Sequence, residues 1–102
     1  MARVIVSLLA QADTADILTD LRDKAGRAVS RAYAAAFEKF YERLMQHPDS
    51  GAPRPAIGKH VRIGVISPYV VIYEHIAADD TVMIMRIAHG RRKISRKFLR
   101  SA

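Results

Sequence analysis

The chain has 102 residues, of which 50% are hydrophobic and 26% are charged, a balance typical of an ordinary folded domain and unlike that of a disordered segment. It contains no cysteine, which excludes disulfides and thiolate metal sites. No apolar run approaches the roughly 20 residues needed to cross a bilayer. We therefore expect a single domain over residues 1–102, without metal or cofactor, that works in the cytoplasm.

The formal net charge of +7 is concentrated at one end of the chain. Residues 1–85 carry ten Lys or Arg and ten Asp or Glu, whereas residues 86–102 carry seven Lys or Arg and no acid. A basic terminus of this kind is typical of a surface that attracts a polyanion or an acidic protein. The pattern predicts a binding surface that includes the basic C-terminal tail, residues 93–102, and leaves its partner open.

The first predicted elements are a strand over residues 2–9 and an amphipathic helix after it. Asp13 or Thr14 can cap this helix by accepting hydrogen bonds from its first N–H groups. Gly26 ends or kinks the helix, because glycine is costly inside a helix and readily takes a left-handed conformation at its end. The apolar stripe of this helix contains Ile17, Leu18 and Leu21.

A second helix over residues 28–47 has the strongest periodicity in the chain. Its apolar residues recur at steps of three and four, which places on one face Val29, Tyr33, Ala36, Phe37, Phe40 and Leu44. Pro48 stops this helix, and the two helices are predicted to form an αα-hairpin. Residues 48–59 contain three prolines and two glycines, which predicts a loop that crosses from the helices to the sheet.

Residues 61–92 are predicted to form an antiparallel meander of three strands, because Val, Ile and Tyr dominate them and two short turn signals divide them. The turn signals are Ser67–Pro68 and residues 78–80. One face of the middle strand contains Tyr69, Val71, Tyr73 and His75. Strict alternation in the last strand puts on one face Val82, Ile84, Arg86 and Ala88, and on the other Met83, Met85, Ile87 and His89. Apolar residues on both faces indicate that the helices cover one face and something else, such as a partner chain, covers part of the other.

Several polar and aromatic side chains have two interpretations from the sequence alone. Arg86 is either a structural residue paired with an acid such as Glu74 or a clamp for phosphate. His89 is either a site residue or a strand-end histidine bonded to a backbone carbonyl. Packing or surface positions without carboxylate support for a metal are expected for His60 and His75. Core positions with wet hydroxyls are expected for Tyr69 and Tyr73, and docking as a short helix or strand is expected for Ile94, Phe98 and Leu99.

The chain resembles the ParE branch of the ParE/RelE superfamily of bacterial toxins. The segments that carry the resemblance are the helix around Asp16–Ile17, Pro48, Val61–Arg62, the strand centre YVVIY at 69–73 and IMRIAHGRR at 84–92; the last two are the most specific. The resemblance implies a two-layer α+β fold of β-α-α-β-β-β order. It also implies the toxin of a type II toxin–antitoxin system, of the plasmid stabilisation kind, that arrests growth and is neutralised by a ParD-like antitoxin in a hetero-oligomer.

Characterised ParE toxins poison DNA gyrase, so the resemblance implies gyrase as the target. We expect inhibition by binding, without catalysis, through the basic end of the chain. The expected target contacts are Arg86, His89, Arg91, Arg92, Lys93, Arg96 and Lys97. The expected antitoxin contacts are Ile17, Leu21, Tyr33, Phe37, Tyr69 and Tyr73.

Two other functions remain open at this point. The related RelE branch cuts messenger RNA on the ribosome, which needs an acid, a base and cations around the phosphate. The candidates for those roles are Glu74, Arg86, His89 and Arg91. RelE-type sites generally have lysines along the first meander strand and a C-terminal Tyr or His, which this chain lacks, so this function ranks second. A nucleic-acid-binding module ranks third, because no helix-turn-helix, RNP-like or zinc pattern is visible.

Overall fold

The structure of the protein is a computed structural model that describes residues 1–100. Its elements are β1 (Arg3–Val6), α1 (Leu8–Ala25), α2 (Arg27–Gln46), β2 (Ala52–Pro53), β3 (Val61–Ile66), β4 (Tyr69–Ile76), β5 (Thr81–His89) and α3 (Arg96–Arg100). The five strands form one sheet in the order β1-β5-β4-β3-β2, in which β1 is parallel to β5 and all other neighbours are antiparallel. The predicted α+β fold, with a strand, a helical hairpin and a meander, is confirmed. Within residues 1–100 no helix is long and apolar enough to traverse a membrane.

The start of α1 differs from the prediction. The first strand ends at Val6, and Ser7 caps a helix that already begins at Leu8. The Ser7 hydroxyl accepts a hydrogen bond from the backbone N–H three residues later, at 3.1 Å, as an N-cap serine does. The predicted caps at Asp13 and Thr14 are wrong, since both residues lie inside the helix. Apolar residues on both sides of Ser7 hide this boundary in the sequence, because together they resemble one continuous strand.

Gly26 joins the two helices, as the sequence predicted. Its φ of 97° lies in the region that favours glycine, and its N–H donates to the Arg22 carbonyl at 3.0 Å. The Ser30 hydroxyl, at the start of α2, donates to the Leu18 carbonyl of α1 at 2.8 Å. A single residue between the helices, together with this bond, fixes how the hairpin folds back on itself.

The main core lies between the helical hairpin and the sheet. It contains Phe37, Phe40 and Leu44 from α2, and Tyr69, Val71, Tyr73, Val82, Ile84 and Ile87 from the sheet. The core positions predicted for Tyr69 and Tyr73 are confirmed, with exposures of 8% and 0%. The Tyr73 hydroxyl accepts a hydrogen bond from the Gly51 N–H at 2.7 Å, which ties the loop after α2 to the sheet. That loop also contains the short strand β2, which the sequence did not predict.

A bulge in β5 overturns the predicted alternation of that strand. Ile72 of β4 pairs with Arg86, but the next residue, Tyr73, pairs with Ile84, so Met85 is an extra residue in β5. Beyond the bulge the faces exchange. Ile87 therefore packs in the helix-side core, whereas Arg86 and Ala88 lie on the opposite side of the sheet.

The opposite face of the sheet has a second, smaller core. It contains Ile57, Val61, Ile72, Ala88 and Phe98, with Ile94 and Leu99 packed against it. The docking predicted for the three apolar tail residues is confirmed, and α3 is the short helix that carries two of them. The chain's own C-terminal segment, rather than a partner chain, covers this part of the face.

His75, at the end of β4, lies between two carboxylates. Its Nδ1 is 3.0 Å from Asp49 Oδ1 and its Nε2 is 2.8 Å from Asp80 Oδ1. The predicted lack of carboxylate support is therefore wrong. Because each ring nitrogen faces an acceptor, the doubly protonated imidazolium is favoured. The hydrogen bond to Asp80, followed by that to Asp49, raises the pKa of His75 above its usual 6.5, and burial opposes the rise. Other charged or titratable groups around the ring are Arg62, which is 3.7 Å from Asp49, and Lys59 and His60 in the same pocket.

This arrangement predicts stability that depends on pH. A raised pKa in the folded state means that the contribution of His75 is fully present below about pH 6.5 and is lost as the pH rises through the folded-state value. We expect His75→Asn to lose about 1 kcal/mol of unfolding free energy at acidic pH, since both carboxylates are exposed, and much less at alkaline pH. Urea unfolding of the wild type and the variant at several pH values measures this. An equal difference at all pH values would contradict the assignment.

Candidate functional site

The exposed cations of the last described residues form one surface, which we call the basic end. It consists of Arg91, Arg92, Lys93, Arg96, Lys97 and Arg100, all exposed. Every ion pair within residues 1–100 lies elsewhere in the molecule, so none of these six cations forms a direct ion pair with an acid of the described residues. A localised positive potential of this kind speeds encounter with an anionic partner and orients it.

Arg86 has a different role from these cations. Its Nε is 2.8 Å from Asp13 Oδ2 and its Nη2 is 2.9 Å from Asp13 Oδ1, a bidentate ion pair between β5 and α1. The hydrogen bond to Asp13 raises the pKa of Arg86, although burial opposes the rise. The interpretation of Arg86 as a structural residue paired with an acid is confirmed, but the acid is Asp13 rather than Glu74. Because Arg86 is only 5% exposed, its guanidinium offers little surface to a partner, unlike the exposed side chains of the basic end.

The reason that Asp13 reaches Arg86 is the short length of β1. The parallel pairing of β1 with β5 stops at Val6 and Ile84, so the rest of that β5 edge has no neighbouring strand within residues 1–100. Side chains of α1 and its cap complete the edge instead. The Ser7 hydroxyl donates to the Met85 carbonyl at 2.9 Å, and the Ile87 N–H donates to Asp13 Oδ2 at 3.0 Å. The Asp13 carboxylate therefore accepts hydrogen bonds from both a side chain and a backbone N–H of β5.

His89 lies at the end of β5, exposed beside the basic end. Its Nδ1 accepts a hydrogen bond from the Arg91 N–H at 3.1 Å, so the neutral ring carries its proton on Nε2. The predicted bond to a backbone carbonyl is thus replaced by one from a backbone N–H. The ring also meets Tyr69 edge-on, with centroids 6.0 Å apart. These contacts orient His89 so that its second nitrogen remains available to a partner.

A cleft of about 460 Å³ separates α1 from the end of β5. One wall carries the acidic residues of α1, Asp13, Asp16 and Asp20, and the opposite wall includes Tyr69, His89 and Arg92. The basic end is therefore bordered by an acidic stripe. The resulting change of sign across the cleft limits the directions from which an anionic partner can approach.

The residues considered for RNA cleavage do not come together. Glu74 pairs with Met83, whereas His89 pairs with Tyr69, which lies five residues before Glu74 in β4. At about 3.3 Å per residue this separates the two positions by roughly 17 Å, too far for one acid–base pair. Glu74 instead lies in a groove of about 430 Å³, together with Lys59, His60, Arg96 and Arg100. The sequence did not indicate this grouping, because three separate segments contribute to it.

The predicted antitoxin contacts divide into buried and partly exposed residues. Phe37, Tyr69 and Tyr73 are 2%, 8% and 0% exposed and lie between the helices and the sheet, so they offer little surface of their own, although Phe37 also lines a groove on the hairpin. The partly exposed ones are Ile17, Leu21 and Tyr33. A helical stripe cannot be divided into core and contact residues from its period alone, because both recur at the same steps.

The sequence did not indicate an apolar groove of about 370 Å³ on the hairpin. It is lined by Val6, Gln11, Thr14, Leu18, Ala34, Phe37, Glu38 and Tyr41. The neighbouring Leu8 is 83% exposed. The Tyr41 hydroxyl is buried beside Thr14 and makes no hydrogen bond within residues 1–100. Burial raises the pKa of Tyr41 to about 12, so its hydroxyl remains protonated and able to donate.

Comparison with known proteins places the chain among toxins. The family described as the ParE toxin of the type II toxin–antitoxin system parDE matches residues 4–94. A chain of the chromosomal ParDE system from P. aeruginosa has the same fold, with 20% identity and a TM-score of 0.73 over 87% of this chain and 96% of that one. A chain of the RelBE2 toxin–antitoxin complex from Mycobacterium tuberculosis gives 22% identity and a TM-score of 0.63 over 86% and 96%. A search of curated proteins gives no match. The chain therefore belongs to the ParE toxin family of type II toxin–antitoxin systems.

Proposed function

We propose that this ParE-family toxin inhibits DNA gyrase in the cytoplasm by binding through its basic end, and that a ParD-like antitoxin neutralises it. The observation that carries the proposal is the group of six exposed cations without an acidic partner among residues 1–100. Gyrase acts on DNA, so the bound duplex, as a polyanion, can attract such a group.

Binding without catalysis fits the arrangement of the predicted catalytic residues. Glu74 and His89 are too far apart to work together, and Arg86 is held by Asp13. The proposed contacts are His89 and the basic end. Arg86 is left out of this set because its charge is buried and paired.

The antitoxin is proposed to occupy the apolar groove of the hairpin and to place acids against the basic end. Leu8, Leu18 and the exposed parts of Ile17, Leu21 and Tyr33 offer apolar area on the helical side of the molecule. An amphipathic segment that buries this area would leave its charged face in water, as helices bound in grooves do. A toxin–antitoxin hetero-oligomer with these two contacts would cover both the helical side and the target-binding surface.

The proposal is tested by supercoiling assays with purified gyrase and the full chain. We expect the double variant Arg91→Ala/Arg92→Ala to need at least about tenfold more toxin for half inhibition, since two exposed charges at the interface are lost. The matched control Arg31→Ala/Lys39→Ala removes the same charge from exposed positions of α2 and should act like the wild type. We also expect inhibition by the wild type to weaken as salt is raised.

Two results would contradict the proposal. If the wild type leaves supercoiling unchanged, gyrase is not the target. If both double variants lose inhibition equally, net charge rather than the basic end is responsible.

A second function is favoured by one observation, the groove in which Glu74 lies among Lys59, His60, Arg96 and Arg100. A carboxylate surrounded by cations can serve as a base beside a phosphate. Messenger RNA cleavage on the ribosome is therefore the alternative activity. Cleavage that is lost in Glu74→Gln, with supercoiling unaffected by the wild type, would replace the gyrase proposal.

A further inference from the structure

We propose that Asp13, Arg86 and Phe98 are positioning residues that hold Arg92 in place as the anchoring cation of the target-binding surface. This inference rests on the proposed function and goes beyond it, because it ranks the cations of the basic end and assigns a role to a residue on α1. None of the three positioning residues contacts the target itself.

The first step is the connection from α1 to the C-terminal segment. Asp13 binds the Arg86 guanidinium through two nitrogens, at 2.8 and 2.9 Å. The remaining nitrogen, Nη1, donates to the Phe98 carbonyl at 2.7 Å. Arg86 thus links α1 to α3 across the end of β5. Both charged side chains are largely buried, at 6% exposure for Arg86 and 15% for Asp13, so these bonds compete little with water.

The second step is the Phe98 ring. Phe98 is 5% exposed and belongs to the smaller core, on the face of the sheet opposite the helical hairpin. Two guanidinium groups lie against its ring, with the Cζ atoms of Arg86 and Arg92 at 4.1 and 4.3 Å from the centroid. These distances are well inside the range in which a cation is attracted to an aromatic face. Arg92 is therefore exposed to solvent and yet held by a fixed ring.

The third step is electrostatic. Two cations against one ring repel each other, and the repulsion would drive the exposed one away. Asp13 carries the charge that compensates Arg86, and it lines the same cleft as Arg92. The ion pair therefore allows Arg92 to remain near the ring that Arg86 also occupies.

The consequence concerns the entropy of binding. An arginine loses side-chain freedom when a partner immobilises it, and a side chain that is already ordered loses less. Among residues 1–100 the cation–ring contacts involve no other member of the basic end. Arg92 should therefore contribute most to affinity, while the exposed Arg91 and Lys93, without such a ring contact, act mainly on the rate of encounter.

The test is a double-mutant cycle on the full chain with gyrase supercoiling as the readout. Phe98→Leu keeps an apolar side chain in the core and removes the ring face. We expect Phe98→Leu and Arg92→Ala each to raise the half-inhibitory concentration about five- to tenfold, and the double variant to be no worse than Arg92→Ala alone. The effects of Phe98→Leu and Arg91→Ala should instead multiply, and Lys39→Ala on α2 serves as the unaffected control.

An independent readout is the ring-current shift of the Arg92 side-chain protons by NMR. It should be present in the wild type, lost in Phe98→Leu and reduced in Asp13→Asn. Inhibition by the wild type that is unchanged in Phe98→Leu, or multiplicative effects of Phe98→Leu and Arg92→Ala, would overturn the positioning role alone. Absence of the ring-current shift in the wild type would overturn it as well. Absence of inhibition by the wild type would refute gyrase as the target, and with it the anchoring role.

Discussion

Asp13→Ala is expected to lower the free energy of unfolding by about 3–5 kcal/mol, because it removes the carboxylate that forms a bidentate ion pair with the buried Arg86. The substitution also removes the acceptor of the Ile87 N–H, at an edge of β5 that no strand covers. Few single changes outside the hydrophobic core of so small a protein should cost as much. Urea unfolding followed by circular dichroism measures the loss.

Two companion variants separate the charge from the hydrogen bonds. Asp13→Asn keeps an acceptor without the charge and should lose less than Asp13→Ala. The double variant Asp13→Leu/Arg86→Met removes both buried charges and should recover most of the stability, since apolar side chains of similar volume often replace a buried ion pair well. A loss below about 1 kcal/mol in Asp13→Ala would show that water enters the site and solvates Arg86.

Phe37→Ala is expected to cost about 3–5 kcal/mol, the range for an aromatic side chain removed from a packed core. Phe37 is 2% exposed, and its ring lies 6.2 Å from that of Tyr69, between α2 and the sheet. The cavity would open at the centre of the main core, where neighbouring strands restrict collapse. Thermal and urea unfolding should both report the loss.

This substitution also shows whether Phe37 is a core residue or a residue that contacts the antitoxin. The control Ala35→Ser changes an exposed position of the same helix and should stay within about 0.5 kcal/mol of the wild type. If Phe37→Ala unfolded with the wild type but bound a ParD-like antitoxin more weakly, Phe37 would be a contact, as the sequence suggested, and its assignment to the core would fail.

The sequence predicted the elements that depend on short-range patterns. The αα-hairpin followed from helical periodicity and from Gly26, and the meander followed from β-branched residues divided by two turns. The bulge at Met85 could not be predicted, because a single extra residue produces no recognisable sequence pattern in an apolar strand without glycine. That one residue decides on which side Arg86 and Ile87 lie.

For a similar reason, the sequence predicted the basic end of the candidate site but not the contacts between distant residues. The basic end is a local excess of charge and can be counted along the chain. The Asp13–Arg86 pair joins residues 73 positions apart, and it depends on where β1 stops. The grouping of Glu74 with Lys59 and Arg100 depends likewise on strand order and on the docking of α3. Such pairings are properties of the folded topology rather than of any segment.

The parallel pairing of β1 with β5 has a consequence for how the toxin is made. β1 is synthesised before β5 but cannot pair until β5 has been made, since Arg3 lies opposite Thr81 in the folded sheet. Until β5 has been synthesised, the hairpin can form but the sheet cannot close, and contacts this distant in sequence form slowly. The nascent chain therefore passes through a period in which its apolar faces are open to a binding partner.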